Sequence, residues 1–293
     1  MVKIPRIAIF GVGLIGGSLA LSIKRNKVSD HVIGVGRAMK NLEIAKSLGA
    51  IDEIESDPIA AVEKSDLIVL STPVNTISAL IEQISSAMDS DKILTDVGSV
   101  KCGIVEAARK NLRENFSQFI PGHPIAGKEK SGIEAASTEL FENHKVILTP
   151  VRETSNSALK IVQQIWQLTG AEVKLMDVMD HDRVLSVTSH LPHILAYVMM
   201  NFLSTSSDRQ KCYEMAAGGF YDFTRTASSD PEMWRDIALM NSSRLLEHIE
   251  QYKGKLDEVV KMIEQSDHKG IENLFASAKQ ARSLVTEKRK NNS

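Results

Sequence analysis

Cysteine is scarce in this sequence. The 293 residues include only Cys102 and Cys212, which are too few for a disulfide framework, and no CxxC pair suggests a metal site. A reduced, cytoplasmic setting is therefore expected. A dominant charge is also missing: the formal net charge is −2, which argues against a nucleic-acid partner. Any anionic ligand would have to be held by local cations.

Long hydrophobic runs are absent as well. The longest apolar stretch, residues 191–203, contains Pro192 and His193 and is shorter than the ~20 residues that a membrane helix needs. The N-terminus enters an apolar strand pattern directly and lacks the shape of a cleavable signal. We therefore expect a soluble protein without a membrane partner, and at roughly 150 residues per domain the length indicates two domains.

Short apolar runs alternate with helical patterns through the first part of the chain. Runs such as RIAIF at 6–10 and LIVLS at 67–71 are typical of strands buried on both faces. The alternation predicts an α/β fold with a Rossmann-type, doubly wound and mostly parallel sheet. The strands are expected at 6–10, 31–35, 51–54, 67–71, 92–96, 118–121, 145–148 and 172–176.

The pattern changes after about Asp177. Strand signals stop and helical patterns follow, so we expect domains at 1–176 and 177–293, the second being all-helical. Asp230 and Pro231 form a helix start, with the aspartate as the cap and the proline in the first turn. The helices are expected at 179–203, 208–217, 231–252, 254–264 and 268–288.

A glycine-rich loop directly follows the first strand and opens a helix. Its sequence is GVGLIG at 11–16. Gly11 would allow the tight turn, Gly13 the approach of a pyrophosphate, and Gly16 close packing of helix on strand. Leu14 and Ile15 begin the helix whose free N–H groups would face the phosphates. The first domain is thus interpreted as dinucleotide-binding; a turn used only for packing is the alternative.

The end of the second strand bears on the choice of nucleotide. Enzymes that use NAD usually place an acid about 20 residues after the glycines, where it bonds the ribose 2′-hydroxyl. Here the strand ends with Gly36 and Arg37, and a guanidinium can pair with a 2′-phosphate. We therefore favour NADP over NAD. The alternative is that Arg37 stacks on the adenine or is solvated.

Ligands of doubly wound sheets bind at the carboxyl ends of the strands, so Thr72, Pro73, Ser99 and His123 are candidate site residues. Pro124 disfavours helix at His123 and predicts an extended loop there. That histidine could take the proton of a substrate hydroxyl near neutral pH, or it could only cap the following segment. Ser99 could contact ligand, cap the next helix, or do both.

The helical half adds a second set of candidates. His190 and His193 are three residues apart in SHLPH, but no nearby Glu or Cys completes a metal site, so no metal is expected. Arg225, which ends the segment GGFYDFTR, could clamp a carboxylate or form an interhelical ion pair. Trp234 is interpreted as a core or interface residue.

Taken together, these motifs resemble the prephenate/arogenate (cyclohexadienyl) dehydrogenase family of tyrosine biosynthesis. The resemblance rests on GVGLIGGS at 11–18, DVGSVK at 96–101, GHPIAGKEKSG at 122–132, SHLPH at 189–193, GGFYDFTR at 218–225 and SDPEMWRDI at 229–237. It implies a Rossmann domain followed by an all-helical domain that builds a homodimer. The implied activity is NAD(P)-dependent oxidative decarboxylation of prephenate to 4-hydroxyphenylpyruvate, of arogenate to tyrosine, or of both.

The resemblance also implies roles for individual residues. His123 would be the catalytic histidine that bonds the ring 4-hydroxyl, and Ser99 would position that hydroxyl and the nicotinamide. His193 would orient the substrate, and Arg225 would bind a substrate carboxylate. Trp234 matches a family position near the site.

Two features bear on the specificity within that family. Gly36-Arg37 resembles the NADP-preferring branch. Glu129 is an acid at a position where the resemblance implies use of arogenate, because a carboxylate would attract the amine of that substrate. Both substrates stay open at this point.

Two other functions compete with this one. A second Rossmann-plus-helical enzyme, of the β-hydroxyacid dehydrogenase or pyrroline-carboxylate reductase type, would share the fold, although the former is expected to carry a catalytic lysine in its helical domain. A non-enzymatic, nucleotide-sensing dimer would bind the cofactor without turnover. That hypothesis leaves HPIAG at 123–127 and SHLPH at 189–193 unexplained.

Overall fold

A six-stranded parallel sheet forms the centre of the N-terminal part. The computed structural model describes residues 2–128 and 130–290. The strand order is β3-β2-β1-β4-β5-β6, which confirms the predicted doubly wound sheet. The strands are β1 (Arg6–Phe10), β2 (His31–Val35), β3 (Glu53–Glu55), β4 (Leu67–Leu70), β5 (Ile93–Asp96) and β6 (Phe119–Ile120).

Helices cover both faces of this sheet. Successive residues of β1 serve opposite faces: Ile7 and Ile9 belong to one apolar cluster, and Ala8 and Phe10 belong to the other. This follows from the two-residue period of a strand, and it explains why a doubly covered strand is apolar throughout. The helices of this part are α1 (Leu14–Arg25), α2 (Met39–Ser47), α3 (Pro58–Glu63), α4 (Val74–Ile84), α5 (Cys102–Leu112) and α6 (Asn156–Leu168).

A second, three-stranded sheet corrects one prediction. It contains β7 (Gly122–Ile125), β8 (Lys145–Leu148) and β9 (Glu172–Leu175), in that order. The segment around His123, predicted as an extended loop, is a strand: β7 pairs antiparallel with β8, and His123 lies opposite Ile147. The prediction from Pro124 was right about extended backbone, but a single sequence gave no sign of the antiparallel partner.

The remaining chain is helical, as predicted. Asp230 caps its helix by accepting a hydrogen bond from the Met233 N–H at 2.8 Å. The expected helix at 231–252 is wrong. One helix ends at Met240, with Asn241 as its cap, and the next begins at Ser242 and continues through Gly254. No described helix is long and apolar enough to cross a membrane. The helices are α7 (Val178–Leu185), α8 (Leu191–Ser204), α9 (Arg209–Met215), α10 (Gly218–Thr224), α11 (Pro231–Met240), α12 (Ser242–Glu264) and α13 (His268–Lys290).

The contacts divide the chain into two compact units, Met1–Ser242 and Ser243–Ser293. The first unit contains both sheets and the helices α1 to α11. Helix α7 is held in it partly because Asp182 accepts hydrogen bonds from backbone N–H groups at the start of α5. The second unit contains α13 and most of α12. The expected functional division after residue 176 stays a prediction.

A buried ion pair joins the two sheets. Lys101 and Asp96 are both fully buried, and the Lys101 ammonium contacts the Asp96 carboxylate. The same ammonium donates to the Gly122 carbonyl at 2.7 Å, and Asp96 accepts from the Gly122 N–H at 3.2 Å. Burial lowers the pKa of Lys101, and the nearby carboxylate opposes that shift. The end of β5 and the start of β7 are therefore held by one polar cluster.

Removing the cation from this cluster should destabilise the fold. Replacing one partner of a buried ion pair leaves an uncompensated charge, so Lys101→Met should lower the free energy of unfolding by about 3–5 kcal/mol. Urea denaturation would measure this loss. Lys64→Met is the matched control, because Lys64 pairs with Glu53 and Glu55 at the surface and should change stability much less. Equal losses in the two variants would contradict the proposed importance of the buried pair.

Candidate active site

The glycine loop has the geometry of a phosphate cradle. Gly11 has a φ of +86°, and a Cβ built on it would lie 2.5 Å from the Ser71 carbonyl oxygen. A Cβ on Gly16 would lie 2.3 Å from the Gly11 carbonyl oxygen, whereas one on Gly13 would meet nothing within 4 Å. Gly11 and Gly16 thus serve tight packing, and Gly13 leaves space open.

That open space lies at the N-terminus of α1. Gly13 occupies the cap position, no side chain caps the helix, and the first turn contains no acid. Leu14 and Ile15 in this turn are half-buried. Free N–H groups at a helix start bind phosphate, so the residues fit a dinucleotide.

The other predicted cofactor residues lie on the strands next to β1. Thr72 and Pro73 follow β4, and the Thr72 hydroxyl accepts a hydrogen bond from the Thr76 hydroxyl at 2.8 Å. Arg37 follows β2 closely and is exposed, together with Lys40 in the first turn of α2. Since β2 and β4 flank β1, these loops share one edge of the sheet with the glycine loop.

Ser99 lies half-buried in the connection between β5 and α5. It does not cap α5: Lys101 occupies the cap position, and no local side chain caps the helix. Instead Asp182 accepts hydrogen bonds from the backbone N–H groups of Lys101 and Cys102, both at 2.8 Å. The capping role considered for Ser99 is therefore filled by a residue of α7.

His123 is buried in β7 and contacts a second histidine. Its Nδ1 lies 2.9 Å from Nε2 of His181, and Nδ1 of His181 lies 2.8 Å from the Asp182 carboxylate. Burial, followed by the charges of His181, Lys101 and His190, holds the pKa of His123 well below its usual range. His123 is thus neutral near pH 7 and able to accept a proton.

The histidines of SHLPH form a group with Trp234. His193 stacks on the indole with ring centroids 3.6 Å apart, and its Nδ1 lies 2.8 Å from the Ser189 carbonyl oxygen. His190 is buried and receives a hydrogen bond from Asn241 at Nδ1, at 3.1 Å. Burial lowers the pKa of His190 to about 4. Trp234 is buried as predicted, with its indole N–H lacking a partner among the described residues.

Arg225 lies on the rim of a surface cavity of about 640 Å³. Its charge adds to the effect of burial in lowering the pKa of His193. The cavity brings together three cations and one acid. Its lining residues are Lys128, Lys130, Glu134, Ala135, Ala136 and Arg225. Glu129, the predicted determinant of arogenate use, lies outside the described residues.

Several residues that surround Ser99, His123 and His190 were not among the predicted site residues. Lys101 lies in the quoted DVGSVK motif, and its position between an apolar strand and an apolar helix was a signal for burial. His181 and Asp182 are adjacent in the sequence, and a His-Asp pair beside a helix start was a weak signal. Asn241, which holds both His190 and the Asp182 carbonyl, had no local signal. Within the described residues, no group of three or more His, Cys, Asp or Glu could hold a metal ion.

Comparison with known proteins identifies the family of this chain. Family models described as the nucleotide-binding and dimerization domains of prephenate dehydrogenase match residues 19–175 and 177–280. Prephenate dehydrogenase of Bacillus subtilis is 36% identical over 94% of this chain and 75% of its own length. Cyclohexadienyl dehydrogenase of Zymomonas mobilis is 33% identical over 96% of each.

A solved structure agrees with these relatives. Prephenate dehydrogenase from A. aeolicus, in complex with hydroxyphenyl propionate and NAD+, has a TM-score of 0.90 at 35% identity, with coverage of 97% of this chain and 99% of that one. The alternative Rossmann-plus-helical reductases are not favoured, because the family models match both parts of the chain. The chain therefore belongs to the prephenate dehydrogenase family of oxidoreductases, enzymes that carry out an oxidative decarboxylation in tyrosine biosynthesis.

Proposed function

We propose that His123 is the catalytic base of this oxidative decarboxylation. The observation that carries the proposal is a neutral, buried imidazole on a strand that starts beside the carboxyl end of β5. A bound nicotinamide dinucleotide supplies the hydride acceptor of the reaction. His123 takes the proton of the substrate hydroxyl, which assists loss of the hydride. Ser99 positions that hydroxyl, and His193, stacked on Trp234, orients the ring.

The proposed substrate is a cyclohexadienol that carries two carboxylates. Arg225, Lys128 and Lys130 line the same cavity, and this local positive charge suits a polyanion that the net charge of −2 does not attract. Arg225 binds one carboxylate, because a guanidinium can hold it bidentately. Prephenate fits this excess of cations. Arogenate, with its added amine, would need an acid such as Glu129 or Glu134.

The proposed cofactor preference is NADP. Arg37 is exposed directly beyond β2. Lys40 lies in the first turn of α2, and that turn contains no acid. Two cations without a competing carboxylate suit a 2′-phosphate. The A. aeolicus relative was solved with NAD+, so NAD is the natural competitor in an assay.

We also propose a homodimer built through the helical part, in the cytoplasm. Apolar side chains stay exposed along α8, α12 and α13, which is unusual for a monomer's surface. Among them are Phe202 at 71%, Ile263 at 62% and Val285 at 62% exposure. Neither Cys102 nor Cys212 is part of a disulfide, in keeping with a reducing compartment.

The role of His123 has a direct test. His123→Ala should lower kcat with prephenate by about 10²–10⁴-fold, the range that a positioned general base contributes. Steady-state kinetics at saturating cofactor would measure this. His144→Ala, which removes an exposed histidine, is the control and should keep the parent rate. Full turnover in His123→Ala would remove His123 as the base.

The carboxylate role of Arg225 predicts a change in KM. Arg225→Ala should raise KM for prephenate by about 10–100-fold, because a charge-assisted pair is lost. Arg152→Ala removes an exposed arginine outside the cavity lining and should leave KM unchanged. Unchanged KM in Arg225→Ala would show that other groups hold the substrate.

The cofactor preference predicts a selective loss. Arg37→Ala should raise KM for NADP by about 10-fold and leave KM for NAD nearly unchanged, since only NADP carries the 2′-phosphate. Kinetics with both cofactors and both substrates would measure this. Lys46→Ala, at the far end of α2, is the control. A parent enzyme that turns over NAD far better than NADP would refute the preference.

A further inference from the structure

Three buried side chains form a continuous hydrogen-bonded line that ends at His123. Asp182 contacts Nδ1 of His181 at 2.8 Å, and Nε2 of His181 contacts Nδ1 of His123 at 2.9 Å. His181 is fully buried, Asp182 is 2% exposed and His123 is 9% exposed. Direct contacts at these distances leave no room for water between the members of the line.

The protonation state of each group follows from its neighbours. Burial alone would raise the pKa of Asp182, but hydrogen bonds from His181 and from the backbone N–H groups of Cys102 and Lys101 lower it overall. The carboxylate is therefore ionised and accepts from Nδ1–H of His181. Burial lowers the pKa of His181, although Asp182 opposes the shift, so the second nitrogen of that ring carries no proton.

The tautomer of His123 is then determined. Since Nε2 of His181 is an acceptor, Nδ1 of His123 must be the donor. His123 is neutral because burial, together with the charge of Lys101, holds its pKa well below the usual range. A neutral imidazole with its proton on Nδ1 has a free lone pair on Nε2.

We propose that His181 and Asp182 are positioning residues that make His123 a reversible proton carrier. They hold its proton on Nδ1, which leaves Nε2 to take the substrate hydroxyl proton and later to return it to the product. This inference rests on the proposed role of His123 as the base. It adds two residues to the site and a second, acidic step to the function of that histidine.

Such a return closes the proton balance of the reaction within the site. The carbinol C–H bond breaks and its electron pair leaves with the hydride to the nicotinamide, while the O–H proton moves to Nε2 of His123 and a ring ketone forms. The bond between ring and carboxylate then breaks, CO2 leaves, and its electron pair makes the ring aromatic with a phenolate oxygen. That oxygen takes the proton back from Nε2, so no net proton is released.

The line also stabilises the transient cation. Once Nε2 is protonated, His123 donates through Nδ1 to His181, and His181 donates to the Asp182 carboxylate. Lys101 opposes a positive charge on His123, whereas Asp182 provides the negative charge at the end of the line. The imidazolium is thereby stable enough to form and acidic enough to give its proton back.

Nitrogen NMR of the ligand-free protein tests the tautomers without any turnover. In protein labelled with ¹⁵N-histidine at neutral pH, His123 and His181 should both show a protonated Nδ1 and a bare Nε2. Spectra of His123→Ala and His181→Gln assign the signals. In Asp182→Asn the amide can donate to His181, so the proton of His123 should shift toward Nε2. A parent His123 with its proton on Nε2 would overturn the proposal.

Kinetics provide the second measurement. Asp182→Asn should lower kcat by at least about 100-fold, as expected when a base has the wrong tautomer, while KM for prephenate stays within about threefold because the substrate contacts are intact. Asp236→Asn is the matched control: Asp236 is also buried, in α11, and accepts from Arg235 at 2.8 Å. Its kcat should stay at the parent value.

The outcomes separate the two proposals. If Asp182→Asn does not fold, His181→Leu removes both ring nitrogens from the line and should show the same loss of kcat. A kcat in both variants equal to that of Asp236→Asn would overturn the relay even where His123→Ala is inactive. Normal turnover in His123→Ala would instead refute His123 as the base, whatever tautomer the spectra show.

Discussion

The Asp96 carboxylate, fully buried at the end of β5, is the constraint on which the site depends. It contacts the Lys101 ammonium and accepts hydrogen bonds from the N–H groups of Gly98 and Gly122. Gly98 precedes Ser99, and Gly122 precedes His123. One carboxylate therefore sets the backbone on which both proposed catalytic residues stand. Burying ions is costly. The main effect of this pair is therefore to fix the backbone at Gly98 and Gly122, and a net gain in stability need not follow.

Asp182 is a second buried carboxylate that fixes both a backbone segment and a side chain near the site. Its carboxylate caps α5 and orients His181, and its backbone carbonyl accepts from Asn241 at 2.8 Å. Asn241 in turn bonds His190. Helix α7 and the residues His190 and Asn241 are thus attached to α5 and β7 by directional polar contacts. Such contacts fix the rings of a site more sharply than apolar packing alone, because an unpaired partner would be expensive.

The features predicted from the sequence are those that local rules decide. The strand β1, the glycine loop and the cap at Asp230 follow from periodicity, backbone sterics and a helix start, all within a few residues. The strand at His123 was missed because its partner, β8, lies over twenty residues further along. His181 and Asp182 were missed because their contacts join residues 58 and 81 positions apart. A motif could indicate His123, but the groups that control its proton are visible only in three dimensions.

The site keeps its cations and its proton carriers at different depths, and this separation suits the reaction. Arg225, Lys128 and Lys130 are exposed, so solvent hydrates these cations and a carboxylate can reach them. His123, His181 and His190 are buried, and burial lowers the pKa of each ring. A histidine at the cavity mouth would be partly protonated near pH 7, and only its neutral fraction could accept a proton. An arginine buried beside His123 would make the imidazolium too costly to form. In the proposed mechanism, anion binding and proton transfer are compatible because solvent reaches one set of groups and is excluded from the other.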